Sequence, residues 1–143
     1  MSYVPQQSWI FNATVKDNIL FGAPFDQARY DKALRVSCLD SDIQLFSNGD
    51  QTEIGEKGGN ISGGQKQRGS LARAVYANSS VFLFDDPLSA LDTHVAKAVF
   101  DRCITGWLVE RKVTRVLVTN QLDFIAHCDR VIMLNNGEIV AQG

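Results

Sequence analysis

Two short stretches carry residue types that could do chemistry. The first is Asn60-Ile61-Ser62-Gly63-Gly64-Gln65-Lys66-Gln67-Arg68. Ser62 and Gln65 have the Ser-x-x-Gln spacing of a capping box, which predicts a helix starting near Gly63. Each glycine in that first turn costs up to about 1 kcal/mol relative to alanine. Their bare Cα atoms let another group approach the backbone, and a helix N-terminus offers unpaired N–H groups and a positive dipole end. That combination suits a phosphate; an ordinary capped helix with a loose start is the alternative. The second stretch is Val81-Phe82-Leu83-Phe84-Asp85-Asp86-Pro87, followed by Ser89-Ala90-Leu91-Asp92. Adjacent carboxylates after an apolar run are costly unless a cation or hydrogen bonds stabilise them. A pair of helix caps is the alternative there.

These residues need elements to hold them. Val81–Phe84 reads as a strand buried on both faces of a parallel sheet, with the carboxylates at its carboxyl end, where ligands gather in open α/β sheets. Ser2–Val4 reads as a strand end closed by Pro5, and Gln6-Gln7 open a loop carrying Trp9 and Phe11. Thr14 to Asp17 is a second capping-box spacing, predicting a short helix stopped by Gly22 and Pro24. Asp26–Cys38 has amphipathic helical spacing, and Asp40 could cap a further helix carrying Ile43, Leu45 and Phe46. Asn48-Gly49-Asp50 is turn chemistry, and Gly55 to Gly59 reads as a flexible approach to Ser62.

The helix after Ser62 should run to about Ala77. Arg68 and Arg73 are expected at its surface, Arg73 on a solvated basic face. From Asp92 a helix carries Val95, Val99, Phe100, Cys103, Ile104 and Trp107 toward a core. Arg115–Thr119 and Arg130–Leu134 read as strands with the short helix Leu122–Cys128 between them, and Asn136-Gly137 as a hairpin turn. Strands alternating with helices predict an α/β domain with a mainly parallel sheet.

With these motifs in order, the chain resembles the nucleotide-binding domain of an ATP-binding cassette (ABC) transporter. Ile61–Gln65 is similar to the family's signature motif, Phe82–Asp85 to its Walker B strand and Ser89–Asp92 to its D-loop. Tyr3–Trp9 is similar to the Q-loop, and Asn120 stands where the H-loop falls. The wording of the Q-loop and of Asp85-Asp86 resembles the multidrug-resistance-associated (C) subfamily, and the first of its two nucleotide-binding domains. The resemblance implies a partial P-loop NTPase fold. In it a helical subdomain at about 12–60 is inserted between core segments 1–11 and 61–143.

The resemblance also implies ATP and Mg2+ as cofactors. Two such domains would sandwich two ATP molecules, so the partners are a second nucleotide-binding domain and transmembrane domains of the same transporter. Asp85 and Gln6 would serve magnesium. Asp86 stands where most members carry a glutamate that polarises the attacking water, and Asn120 where most carry a histidine. Asparagine cannot take up a proton near neutrality but can still hydrogen-bond a γ-phosphate. Ser62, Gly63, Gly64, Gln65 and Asp92 would contact the nucleotide opposite. The two departures imply a slow site using Asp85, Asp86 and Asn120, paired with an active site completed by Ser62–Gln65. A Gly64→Asp change is then expected to set a carboxylate against a γ-phosphate.

A Gly-x-x-x-x-Gly-Lys-Ser/Thr loop is absent from the sequence. By resemblance it lies upstream of the Q-loop, so the chain is expected to be a fragment or truncated product, with one side of its sheet uncovered. At 143 residues it has room for one core. A net charge of −2 gives no electrostatic footprint for nucleic acid. No run approaches the roughly 20 apolar residues of a membrane span. Cys38, Cys103 and Cys128 read as reduced packing cysteines, and His94 and His127 as structural or surface residues.

The function implied is ATP binding and hydrolysis for an exporter of the organic anion, xenobiotic or conjugate class, at the cytoplasmic face of a plasma or organellar membrane. One alternative is a nucleotide-sensing regulatory domain of a channel-like or receptor-like member. A soluble ABC ATPase acting on ribosomes or DNA is disfavoured by the acidic balance and the Q-loop wording.

Overall fold

The computed structural model describes residues 1–55 and 60–143. Glu56, Lys57, Gly58 and Gly59, most of the glycine-rich approach to Ser62, lie outside the described residues.

A three-stranded parallel sheet in the order β1-β4-β5 holds the centre. It comprises β1 (Ser2–Val4), β4 (Val81–Asp85) and β5 (Thr114–Val118). Val4 pairs with Phe84, which pairs with Leu117, so all three strands reach their carboxyl ends together. Alternation along β4 divides its side chains. Phe82 and Phe84 are buried and stack at 6.0 Å, each burial contributing roughly 1.5–3 kcal/mol. Leu83 and Val81 face the other way and are only half-buried. Burial on both faces was expected, and this is a correction. Tyr3 and Val116, in register with Leu83, and Val118, in register with Asp85, are exposed. One face of the sheet therefore lies open.

The covered face packs on α4 (Gly63–Tyr76), whose Leu71, Ala72 and Val75 are buried. On α4's far side sit short elements: β2 (Ala13–Thr14), α1 (Val15–Leu20), α2 (Gln27–Val36), α3 (Asp40–Leu45) and β3 (Glu53–Ile54). β2 and β3 form an antiparallel ribbon. Thr14 caps α1 through its side chain, as its spacing predicts, and Asp26 does the same for α2, a cap not read from the sequence. Asp40 does not cap α3: Leu39 occupies that position without a side-chain bond, and Asp40 is the first helical residue.

α5 (Thr93–Val99) continues into a π-helical stretch, Phe100–Trp107, and α6 (Leu108–Glu110). Gly106 belongs to the wide turns, since a Cβ there would lie 2.5 Å from the Asp101 carbonyl oxygen. β6 (Ile132–Asn135) and β7 (Glu138–Gln142) form a separate hairpin turned by Asn136 and Gly137, both at positive φ. Its side chains are exposed. Cys38 and Cys103 are buried, but Cys128 is exposed rather than packed.

Candidate functional site

The parallel register brings three loop starts to one end of the sheet. Gln6 stands two residues past Val4, Asp86 two past Phe84 and Asn120 three past Leu117. Asp86 is 7% exposed, and its N–H donates to the Val118 carbonyl at 2.9 Å. Its φ of 44° is left-handed, a region Asp and Asn tolerate better than most residues. Its carbonyl accepts from the Ser89 hydroxyl at 2.9 Å, folding the Pro87–Ala90 turn.

Gln6 Nε2 donates to Asp86 Oδ2 at 3.5 Å, while Asp86 Oδ1 is buried with no hydrogen-bond partner. Asp85 Oδ2 accepts from the Tyr3 hydroxyl at 3.1 Å, and that bond to a carboxylate raises the Tyr3 pKa. Neither carboxylate caps a helix. Asn120 is exposed at the mouth of the same end.

This arrangement fits magnesium. The ion asks for one or two carboxylates completed by phosphate oxygens and water, which Asp85 can begin, and the orphaned buried oxygen of Asp86 beside it is free to accept from such a water. Among the described residues no group of three or more His, Cys, Asp or Glu could hold a metal ion unaided, so the ion here would depend on phosphate and water for the rest of its ligands.

Ser62–Gln65 lies on α4 and carries the capping box its spacing predicts. Gln65 N–H donates to Ser62 Oγ at 3.1 Å, and Ser62 N–H to Gln65 Oε1 at 2.8 Å. The two glycines differ in their surroundings. A Cβ on Gly63 would meet nothing within 4 Å, whereas one on Gly64 would lie 3.3 Å from the Ala90 carbonyl oxygen and 3.5 Å from Leu91 Cδ2. Gly64 is thus where the turn after Asp86 crosses the start of α4. A Gly64→Asp change, expected to bring a carboxylate toward a γ-phosphate, would also press its Cβ on this chain's own backbone. Asp92 caps α5, its Oδ1 accepting from the N–H groups of His94 at 3.1 Å and Val95 at 3.0 Å.

Three residues tie these pieces together: Asp42, missed from the sequence, and Arg68 and Arg73, expected at the surface. Asp42 accepts from Gln65 Nε2 at 2.9 Å and from Arg68 Nη2 at 3.1 Å, so α3 holds the capping box in place. Arg68 also donates to the Cys38 carbonyl at 2.6 Å, and its side chain is only 11% exposed. Arg73 is not on a solvated face. It donates to the Asn18 carbonyl at 2.7 Å and the Trp9 carbonyl at 3.0 Å, lies over the Trp9 and Phe21 rings, and has its pKa lowered by desolvation. Arg68 and Arg73, five residues apart on α4, were legible only as charges; their acceptors are carbonyls and an acid distant in sequence.

A profile of the family described as ABC transporter matches residues 1–89. "ABC transporter C family member 3" of Dictyostelium discoideum is 54% identical over all 143 residues, which make up 10% of that protein. "ATP-binding cassette sub-family C member 3" of Rattus norvegicus is 52% identical over the whole chain and 9% of its own length. "ATP-binding cassette sub-family C member 2" of Homo sapiens is 50% identical over 99% of the chain, again 9% of its own length. The chain spans about a tenth of the length of these curated relatives. The sheet, the signature helix and these matches agree: the chain belongs to the ABC transporter family, in its C branch, and represents part of a nucleotide-binding domain.

Proposed function

We propose that the chain works within a longer C-family exporter as part of its first nucleotide-binding domain. There it binds ATP with Mg2+ and couples to a second such domain and to transmembrane domains, with organic anions or conjugates as cargo. In this reading 12–60 is the helical subdomain, 1–11 and 61–143 belong to the catalytic core, and the domain sits at the cytoplasmic face of a membrane. The single observation that carries it is Asp86 Oδ1, buried and unpartnered beneath Gln6 and beside Asp85.

When bound, magnesium would neutralise negative charge on the transferring phosphoryl group. Asp85 and Gln6 would orient it, and Asp86 would accept a hydrogen bond from the attacking water. Asn120 can only donate or accept; it cannot store a proton near neutrality. Asp86, a methylene shorter than glutamate, reaches less far, and about 1 Å of displacement can cost on the order of 100-fold in rate. Both features favour a site that holds ATP and turns it over slowly. Ser62, Gly63, Gly64, Gln65 and Asp92 would face the second, faster site.

The test uses the full-length transporter in vesicles, measuring ATP turnover and cargo uptake together. Gly63→Asp is expected to abolish most turnover and Asp86→Asn to reduce it far less. Equal losses would overturn the asymmetry, and turnover without any cargo movement would favour a regulatory domain over an exporter.

A further inference from the structure

An open groove of about 520 Å3 lies between α2 and the π-helical stretch, lined by none of the candidate nucleotide-site residues. Lys32 and Arg35 line one wall; Arg102, Trp107 and Glu110 line the other. The volume falls within the range of specific ligand sites. Three cations against one acid is a local reversal of sign in a chain of net charge −2.

The cations are not used internally. Among the described residues the side chains of Lys32 and Arg35 make no hydrogen bond or ion pair, and Glu110 pairs with none of the three. Arg102 reaches only the Cys38 sulfur at 3.7 Å, a weak acceptor. Neighbouring unpaired cations repel one another, and an anionic occupant relieves that repulsion. Trp107 is half-buried, with the Arg111 guanidinium 4.8 Å from its ring, and Gly106 beside it has no side chain to block the groove.

The charges are spread along two helices, at i and i+3 on α2 and on the facing wall, rather than gathered in one backbone cradle. Spread charge beside an aromatic in an interhelical groove suits a linear occupant more than a point anion. We propose that this groove docks an acidic, amphipathic peptide segment of a partner protein. Its carboxylates pair with Lys32, Arg35 and Arg102, and one apolar side chain packs on Trp107. Glu110 sets its direction by repelling acids from that end. The proposal is independent of the nucleotide site.

A fluorescein-labelled peptide of about twelve residues, alternating pairs of glutamate and leucine, tests this by anisotropy with the full chain. Saturable binding is expected, weakened by salt and absent for the lysine counterpart. Lys32→Glu with Arg35→Glu should weaken it at least about tenfold. The melting curve should stay unchanged, because neither side chain has an internal partner. Trp107→Ala should weaken it as well. Equal binding of the lysine peptide, or unchanged affinity in the double variant, overturns the proposal. Displacement by equimolar inorganic phosphate would show a small-anion site and overturn it too.

Discussion

The Ala90 carbonyl oxygen stands 3.3 Å from the point where a side chain on Gly64 would begin. The turn after the carboxylate pair and the start of α4 are therefore fitted to each other through a missing methyl group. Gly63, one residue earlier, has open space in that direction.

The two glycines should separate on substitution. Gly63→Ala gains helix propensity with nothing to displace, raising stability by about 0.4–1 kcal/mol. Gly64→Asp sets a carboxylate against the Ala90 carbonyl and should lower it by about 1–3 kcal/mol. Urea melts of the two variants check this; shifts of equal sign and size would contradict it.

Arg73 fastens the loop carrying Trp9 to α1 and α4. Arg73→Ala leaves the Asn18 and Trp9 carbonyls without their charged donor and should cost about 2–3 kcal/mol. Arg73→Lys should recover only part, since an ammonium cannot reproduce the guanidinium fork. Trp9 emission, read beside the unfolding curve, should move in both variants.

Asp42 joins the capping box to Arg68. Asp42→Ala strands a largely buried guanidinium and is expected to cost about 3 kcal/mol. Replacing both, Asp42→Ala with Arg68→Leu, should be milder than the sum of the single changes. A double-mutant cycle measures that difference.

Burial pushes the Cys103 thiol up to about 12, and the same cause raises Cys38. A folded-state pKa above the unfolded one means the folded chain keeps a proton that the unfolded chain releases. Stability from Cys103 is therefore fully present below about pH 9 and falls between about 9 and 12, by up to about 1.4 kcal/mol per pH unit. Cys103→Ala should flatten that fall. At pH 8 a thiol reagent should label exposed Cys128 quickly and Cys103 only on unfolding.

Local chemistry made much of this structure legible. The Ser62–Gln65 capping box, the apolar run before Asp85 and the Asn136-Gly137 turn each encode their geometry within a few residues and formed where their spacing placed them. At Thr14–Asp17 only the threonine cap formed and not the full box. Long-range partners were not legible. Nothing near Arg73 announces Trp9, 64 residues away, and nothing near Gln65 announces Asp42, 23 residues away. β4 misled because apolar residues alone do not say which face finds a neighbour; Leu83 lies on the face left open. For the candidate site, the order of motifs along the chain was readable. That Gln6 reaches Asp86, with Asn120 at the same end of the sheet, required the strand register, which the sequence does not display.

The widened helix Phe100–Trp107 also bears on how related chains should be compared. Its turns hold more residues than α-turns of the same rise, so it can lose one residue by tightening, with the loops on either side undisturbed. In aligning C-branch sequences, a one-residue gap within the 93–110 helix belongs inside Phe100–Trp107 and not at the helix ends. A chain carrying that gap should also be free of the demand for glycine at the position of Gly106.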